Sequence, residues 1–295
     1  MDYMLLFDSL FSAVPNFVLG VLCWAAGWYL FDKTVDFGLT DELVKKDNPA
    51  VGSMVSGYQL GLGLALVGTL FGTGLHLFED LWYILSGGVL AIILMRLSLL
   101  VNNIFILYKF NINKEIIRDN NCGTGQVVAS SSIATGLVLM GAQTGLSDSW
   151  LMGIRDIFFY WLAGQVILVA GGLLFQLITS YDVHEVIEHD DNEAAGWSFG
   201  GWLIALGIII CTSLKGASSN ILMELKVLVI VSIIGLLLFS GTRIIVDKLL
   251  LPGHSLSSEV AGQKNLAAGK VACAAFITIA LILSAAVENS FKSIG

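Results

Sequence analysis

The sequence predicts an all-α, polytopic membrane protein with eight transmembrane helices arranged as four parallel two-helix repeats. Three observations support this fold class: a low content of charge, eight long apolar stretches, and one short motif that recurs four times. The chain of 295 residues is 56% hydrophobic and only 13% charged, and its mean hydropathy is +0.83. Soluble domains carry about 25% charged residues, so this composition predicts that most of the chain lies in a lipid bilayer.

Eight apolar stretches are long enough to cross a bilayer, whose hydrocarbon core requires about 20 helical residues. They cover residues 10–31, 49–71, 81–107, 122–143, 157–179, 197–214, 227–246 and 266–287. Strands are not expected, because the stretches do not alternate between apolar and polar residues and a sheet edge cannot satisfy its backbone groups in lipid. The polar linkers are each shorter than 20 residues, which leaves no room for a soluble domain.

Four copies of one motif divide the chain into similar units. The copies are NPAVG, NCGTG, NEAAG and NLAAG, and they begin at Asn48, Asn121, Asn192 and Asn265. Their spacings of 73, 71 and 73 residues predict a unit of one odd-numbered helix, one linker and one even-numbered helix. Two units make up each half, which predicts two four-helix membrane halves, residues 1–147 and 148–295. Because each unit has two spans, all four units share one orientation in the membrane.

The asparagine of each motif has two interpretations. Asn is a favoured N-cap, because its side-chain oxygen accepts from the free amides of a first helical turn, and Pro49 is a preferred first helical residue. Alternatively, the four side chains converge on a central axis and form a polar ring. The first interpretation requires only local geometry.

Small residues recur on the even-numbered helices and predict close packing between them. They stand four residues after each Asn (Gly52, Gly125, Gly196 and Gly269) and fifteen residues after three of them (Gly63, Gly136 and Gly207). We therefore expect the even helices to form an inner layer around a pseudo-symmetric centre, with the bulkier odd helices outside.

Arg96 lies inside the third span, where a charge is costly and is a functional candidate by default. Asn102 and Asn103 follow within two helical turns, so the three side chains are candidates for one polar pocket. The alternative is structural, with Arg96 in an ion pair or bound to helix-end carbonyls.

The linkers carry a second recurring feature, an acidic residue six or seven positions before the Asn. These residues are Glu42, Glu115, Glu185 and Glu259. The third linker also contains His184 and His189 among acids, which suggests either a metal site or a solvated acidic segment. We favour the solvated segment and expect no metal.

Basic residues predict the orientation of the chain. Nine Lys and Arg residues lie near the linkers and four on the opposite side, and positive charge stays cytoplasmic. The linkers are therefore expected to face the cytoplasm and both termini to face outward. Asp2 and Asp8 make the N-terminus unlike a cleaved signal peptide, so the first span is expected to remain in the protein.

Several classes of function are not supported. The net charge of −8 argues against a nucleic-acid partner, which favours a basic surface. The sequence has no HExxH, GxSxG, phosphate-binding loop or Cys-x-x-Cys motif. We therefore expect neither an enzyme nor a cofactor.

The unit of a span, a linker with Glu six residues ahead of the motif, and an N-x-A-x-G helix start resembles the bacterial family called domain of unknown function 350. The resemblance covers essentially the whole chain twice, because family members have four spans and two units. Three of the motif copies match the pattern, and NCGTG departs from it with Gly123 in place of Ala. The resemblance implies a bacterial inner-membrane protein, with a weak link to envelope stress and no established activity.

Two functions from different classes fit these observations. The first is a conduit or transport-related subunit for an ion or small polar solute, since parallel repeats can surround an axis and rings of oxygen atoms select ions. The second is a membrane scaffold that docks a cytoplasmic protein on the four linker acids. The lipid bilayer is a partner under both, and self-association into a homo-oligomer is compatible with either.

Overall fold

The computed structural model describes residues 3–71, 77–144, 149–214 and 220–292. Regular structure in these ranges is helical throughout, which confirms the all-α fold class. The eight long helices are α1 (Tyr3–Thr34), α2 (Pro49–Phe71), α3 (Leu77–Val101), α4 (Cys122–Gln143), α5 (Trp150–Ile178), α6 (Glu193–Leu214), α7 (Ile221–Ser240) and α8 (Leu266–Lys292).

Each long helix contains a segment that is long and apolar enough to cross a membrane. The eight predicted spans are therefore confirmed, with boundaries shifted by a few residues. Two of the odd helices continue into a π-helical turn, α3 into Asn102–Ile106 and α7, after a short helix at Thr242–Ile245, into Val246–Leu250. Short linker helices precede the even helices at Asp41–Lys45, Ile112–Ile117, Val183–Glu188 and Ser258–Gly262.

The even helices pack side by side in chain order, α2 on α4, α4 on α6 and α6 on α8. The backbones approach closely: a Cβ atom at Gly136 of α4 would lie 2.1 Å from the carbonyl oxygen of Gly61 in α2. Near the linkers, a Cβ at Gly125 would lie 2.5 Å from the carbonyl oxygen of Ala50. Both pairs advance along their helices together, so α2 and α4 run in the same direction.

The odd helices form a second layer on one face of this row. α3 packs on α1, α2, α4 and α5, and α5 in turn packs on α4, α6 and α7. Polar contacts join the odd helices to each other: the indole Nε1 of Trp161 donates to Ser98 Oγ at 2.8 Å, and Trp150 Nε1 donates to Ser86 Oγ at 3.1 Å.

The expectation of four units around one centre is wrong for this chain. Among the described residues, α2 does not pack against α8, so the even helices form an open row and not a closed group. Burial follows position in the row: 78% of the membrane window of α4 and 83% of that of α6 are buried, but only 28% of that of α8. The end helix α8 is therefore not an inner helix.

Candidate functional site

The four motif asparagines lie along the linker edge of the row. Each accepts backbone amides of its own helix through Oδ1; for Asn48 the donors are Ala50 N at 3.0 Å and Val51 N at 3.1 Å. The same cap is present at Asn121, Asn192 and Asn265. This is the geometry of an N-cap, and it does not place the four side chains around an axis.

A second bond of these asparagines was not anticipated from the sequence. The Nδ2 of Asn48 donates to the carbonyl oxygen of Ile116 in the next linker at 3.0 Å. Asn121 Nδ2 donates in the same way to Ile187 O at 2.6 Å, and Asn192 Nδ2 to Val260 O at 2.8 Å. One side chain therefore starts its own helix and ties it to the following unit.

Three of the four linker acids are buried against these asparagines. Glu42, Glu115 and Glu259 are between 2% and 6% exposed, and each accepts from the Asn six residues later. The hydrogen bond from Lys46 holds the pKa of Glu42 below its usual range. The expectation that all four acids form one solvent-facing docking surface is therefore wrong, and only Glu185 of the third linker is exposed.

The residue before each motif Asn has a left-handed backbone. The φ angles are 55° at Asp47, 52° at Asn120, 48° at Asp191 and 51° at Lys264. Asp and Asn tolerate this conformation better than most residues, which gives three of the four positions a local reason. The Asp and Asn at these positions were the signal in the sequence that could have predicted the turn.

The small residues of the even helices divide by position in the row. Five of the seven predicted packing glycines face the backbone of a neighbouring even helix: Gly125, Gly136, Gly196, Gly207 and Gly269. Gly52 and Gly63 belong to the first helix of the row, and a Cβ at either would meet no described atom within 4 Å.

Arg96 lies between α1 and α3, half-buried near the linker end of α3. Its Nη2 donates to the carbonyl oxygen of Thr34 at 3.1 Å, at the end of α1. Its guanidinium carbon lies 5.3 Å from the ring centroid of Phe31, within the range of a cation–π interaction. The structural interpretation of Arg96 is thus correct in part, but Thr34 and Phe31 occupy only one side of the guanidinium.

A cavity of about 300 Å³ lies beside Arg96 and is lined by Asn102 and Asn103 as well. Asn102 is 1% exposed, and neither atom of its side-chain amide has a hydrogen-bond partner among the described residues. A buried amide without a partner costs about 1–3 kcal/mol. The cavity therefore contains an unused donor, an unused acceptor and one permanent positive charge.

A second cavity of about 410 Å³ connects this site with the linker surface. Both cavities are lined by Asp36, Phe37 and Asn113, and the outer one adds Lys114 and Arg118. Two of the cations therefore lie near the entrance and Arg96 lies at the inner end. Asp36 is the one carboxylate that lines either cavity among the described residues.

The second half of the chain has the same elements without this site. The π-helical turn at Val246–Leu250 stands 144 residues after that at Asn102–Ile106, so Val246 takes the place of Asn102. Val246 is fully buried. Arg243 donates to the carbonyl oxygen of Ile178 at 3.1 Å and to Ser257 Oγ. The polar groups of this region therefore bind each other.

The third linker is neither fully solvated nor arranged as a metal site. His184 is 3% exposed and its Nε2 lies 2.8 Å from the carbonyl oxygen of Ile106, whereas His189 is exposed. Burial lowers the pKa of His184 below its usual value. Within the described residues, no three His, Cys, Asp or Glu side chains are close enough to share a metal ion.

Comparison with known proteins agrees with this architecture. The model of the family "Domain of Unknown Function (DUF350)" matches residues 4–143 and again residues 149–287. A similar protein is the "UPF0719 transmembrane protein" of Aquifex aeolicus (strain VF5), 22% identical over 263 residues, which are 86% of this chain and 94% of the relative. No solved structure matches the chain. Since the two matches cover nearly all residues, this multi-pass membrane protein belongs to the DUF350 family as a tandem of two copies of its domain.

Proposed function

We propose that this protein is a non-enzymatic conduit, or a transport-related subunit, for a small anionic solute in the bacterial inner membrane. The solute binds in the cavity of Arg96 and Asn102, which opens towards the linkers on the cytoplasmic side. The observation that carries the proposal is the buried amide of Asn102, which has no partner among the described residues and lies in the same cavity as an intramembrane arginine.

The chemistry of the cavity favours an anion. An arginine is always charged and offers five N–H donors, of which one is bound to Thr34. The amide of Asn102 can donate two further hydrogens. Charge–charge attraction is stronger in a membrane interior than in water, and the carboxylate of Asp36 stands where the cavity meets the outer one.

The size of the cavity limits the solute. A volume of about 300 Å³ corresponds to about ten water molecules at the density of the liquid. It accommodates an inorganic anion with part of its hydration shell, or a small organic carboxylate. The close backbone contacts between α2 and α4 leave no passage between these helices, so binding and passage need separate measurements.

The first measurement is thermal unfolding of the purified protein with chloride, sulfate or phosphate added at constant ionic strength. A solute that binds only the folded state raises the unfolding temperature. We expect one of these anions to stabilise the wild type and to leave Arg96→Ala unchanged. Lys248→Ala removes an exposed positive charge elsewhere and should respond like the wild type.

The second measurement is anion flux into liposomes that contain the protein. Flux in the wild type and its loss in Arg96→Ala would support a conduit. Anion-dependent stabilisation without flux would restrict the site to binding, and the conduit would be rejected. Equal responses of the wild type and Arg96→Ala in both measurements would reject the site as well.

A further inference from the structure

The interface between neighbouring even helices follows one rule through the chain. The later helix presents the residues 4, 8 and 15 positions after its Asn, which we call the leading face. The earlier helix presents the residues 2, 9 and 13 positions after its Asn, which we call the trailing face. The resulting contacts are Ala50–Gly125, Gly57–Ala129 and Gly61–Gly136 between α2 and α4, Gly123–Gly196, Ser130–Gly200 and Ala134–Gly207 between α4 and α6, and Ala194–Gly269 and Gly201–Cys273 between α6 and α8.

The two ends of the row display the unused halves of this interface. The leading face of α2 consists of Gly52, Ser56 and Gly63; Ser56 is exposed, and a Cβ at either glycine would meet no described atom within 4 Å. The trailing face of α8 consists of Ala267, Ala274 and Thr278, and all three are exposed. Residues at the corresponding positions of α2, α4 and α6 are buried.

The motif asparagines give an independent indication of the same end contact. Asn48, Asn121 and Asn192 each donate to the carbonyl five residues before the next motif Asn and are 1% to 3% exposed. Asn265 has no following unit, and its Nδ2 donates to Glu259 of its own linker at 2.9 Å. At the other end, the carbonyl of Leu43 takes the corresponding position, and the chain has no preceding unit to donate to it.

We propose that the trailing face of α8 packs against the leading face of α2 in a second copy of this chain. Asn265 of one copy then donates to the carbonyl of Leu43 in the other. A second copy in the same membrane orientation supplies the small residues, the parallel helix direction and the carbonyl acceptor in the register that the chain uses three times internally. Lipid supplies no acceptor in that register. The inference stands on the repeated interface and is independent of the proposed anion site.

One pair at the new contact differs from its internal equivalents. Each internal pair of positions 9 and 8 contains a glycine, as at Gly57–Ala129 and Gly201–Cys273. The end pair is Ala274 with Ser56, so the two helices stand farther apart there by the space of about one methyl group. The end contact is therefore looser than the internal ones, as suits an interface between separate chains.

The positions of the two faces also indicate how many copies take part. At 100° per residue, the leading and trailing faces lie about 140° apart around one helix. The residues 1, 5, 12 and 16 positions after the Asn fall between them and face away from the odd helices. Each helix thus turns the row by about 40°, so on the order of nine helices close a ring. Eight is the nearest multiple of four, and a head-to-tail contact that closes with two copies forms a ring of twofold symmetry.

Disulfide crosslinking in membranes tests the contact. The background replaces Cys23, Cys122, Cys211 and Cys273 by Ala. In this background we expect the double variant Ser56→Cys with Ala274→Cys to form covalent dimers on oxidation, because a disulfide needs Cβ atoms about 3.5–4.5 Å apart. Each single variant should remain uncrosslinked, and a mixture of the two single variants with different tags should form a mixed dimer.

A steric variant gives a second readout that does not depend on cysteine. Ser56→Trp places a large ring on a residue that is exposed in the single chain, so the chain should fold and remain monomeric in native mass spectrometry. Ile93→Trp, on an exposed position of α3, should remain dimeric like the wild type. A monomeric wild type, crosslinks in Ser56→Cys alone, or a ladder of higher multiples in the double variant would overturn the two-copy ring.

Discussion

The two halves of the chain share their elements, but only one half contains a polar cavity. In the first half, Arg96 binds the end of α1 and lies beside the unpaired amide of Asn102. In the second half, Arg243 stands one helical turn later relative to the 144-residue offset, binds Ile178 and Ser257, and has the apolar Val246 as its neighbour. The second half therefore shows what this region looks like when its polar groups are satisfied. The first half has given up that satisfaction, and a site for a solute is the function that explains it.

The most disruptive way to break this comparison is Val246→Asn, which places the amide of the first half into the second. We expect a loss of about 3 kcal/mol in the free energy of unfolding, since the valine packing is lost and a buried amide finds no partner. Thermal unfolding in detergent measures it. Val246→Ala is the matched control and should lose about 2 kcal/mol from the missing methyl groups. Equal losses in the two variants would mean that the amide is satisfied at this position.

The opposite exchange, Asn102→Val, sharpens the comparison. Removal of an unpaired buried amide should stabilise the protein by about 1 kcal/mol and should abolish the stabilisation by anions described above. Asn103→Val changes the exposed neighbour and should alter neither property strongly. If Asn102→Val lowered the unfolding temperature instead, Asn102 would have a partner in the folded protein, and the cavity would lose its main argument.

The smallest expected effect is a pH dependence that belongs to the second half alone. His184 is buried among Tyr108, Phe110, Lys109 and Asp182, whereas its counterpart 144 residues earlier is Thr40. Because burial lowers the pKa of His184 in the folded protein, the unfolded chain takes up a proton first when the pH falls through about 6.5. The contribution of neutral His184 to stability is therefore present above that pH and is lost as the pH falls towards the folded pKa.

Unfolding temperatures at pH 7.5 and 5.5 measure this dependence. The wild type should lose up to about 1 kcal/mol over this interval, and His184→Thr should lose less. His189→Thr removes an exposed histidine of the same linker and should behave like the wild type. Identical pH profiles for the wild type and His184→Thr would show that His184 does not titrate with unfolding.

The sequence was sufficient for the helices but not for their arrangement. Segment length and composition predicted eight spans, and the Asn spacing identified where each even helix begins. The glycines at positions 4 and 15 predicted close packing, but small residues do not distinguish an open row from a closed group, and Gly52 and Gly63 have no neighbour. The second bond of each Asn could not be predicted either, because its acceptor is a backbone carbonyl, which leaves no trace in the residue types.

The candidate site shows the same limit. Arg96, Asn102 and Asn103 stood out because each polar residue is costly at its depth, and the structure places all three around one cavity. Burial of Glu42 and its equivalents was not predictable from charge alone, since acids in linkers are usually solvated. Their hydrogen bonds to the motif Asn explain why they are inside.

The head-to-tail rule of the even helices bears on how the chain came to have two different halves. A half-length chain with two units carries the same leading and trailing faces, so four identical copies of it complete the same eight-helix circle. In such an assembly every change to one cavity appears in all four. Fusion of two copies into one polypeptide removes that constraint, because Asn102 and Val246 are then encoded separately. The tandem gene thus allows one half to specialise in a solute while the other preserves the strength of the assembly.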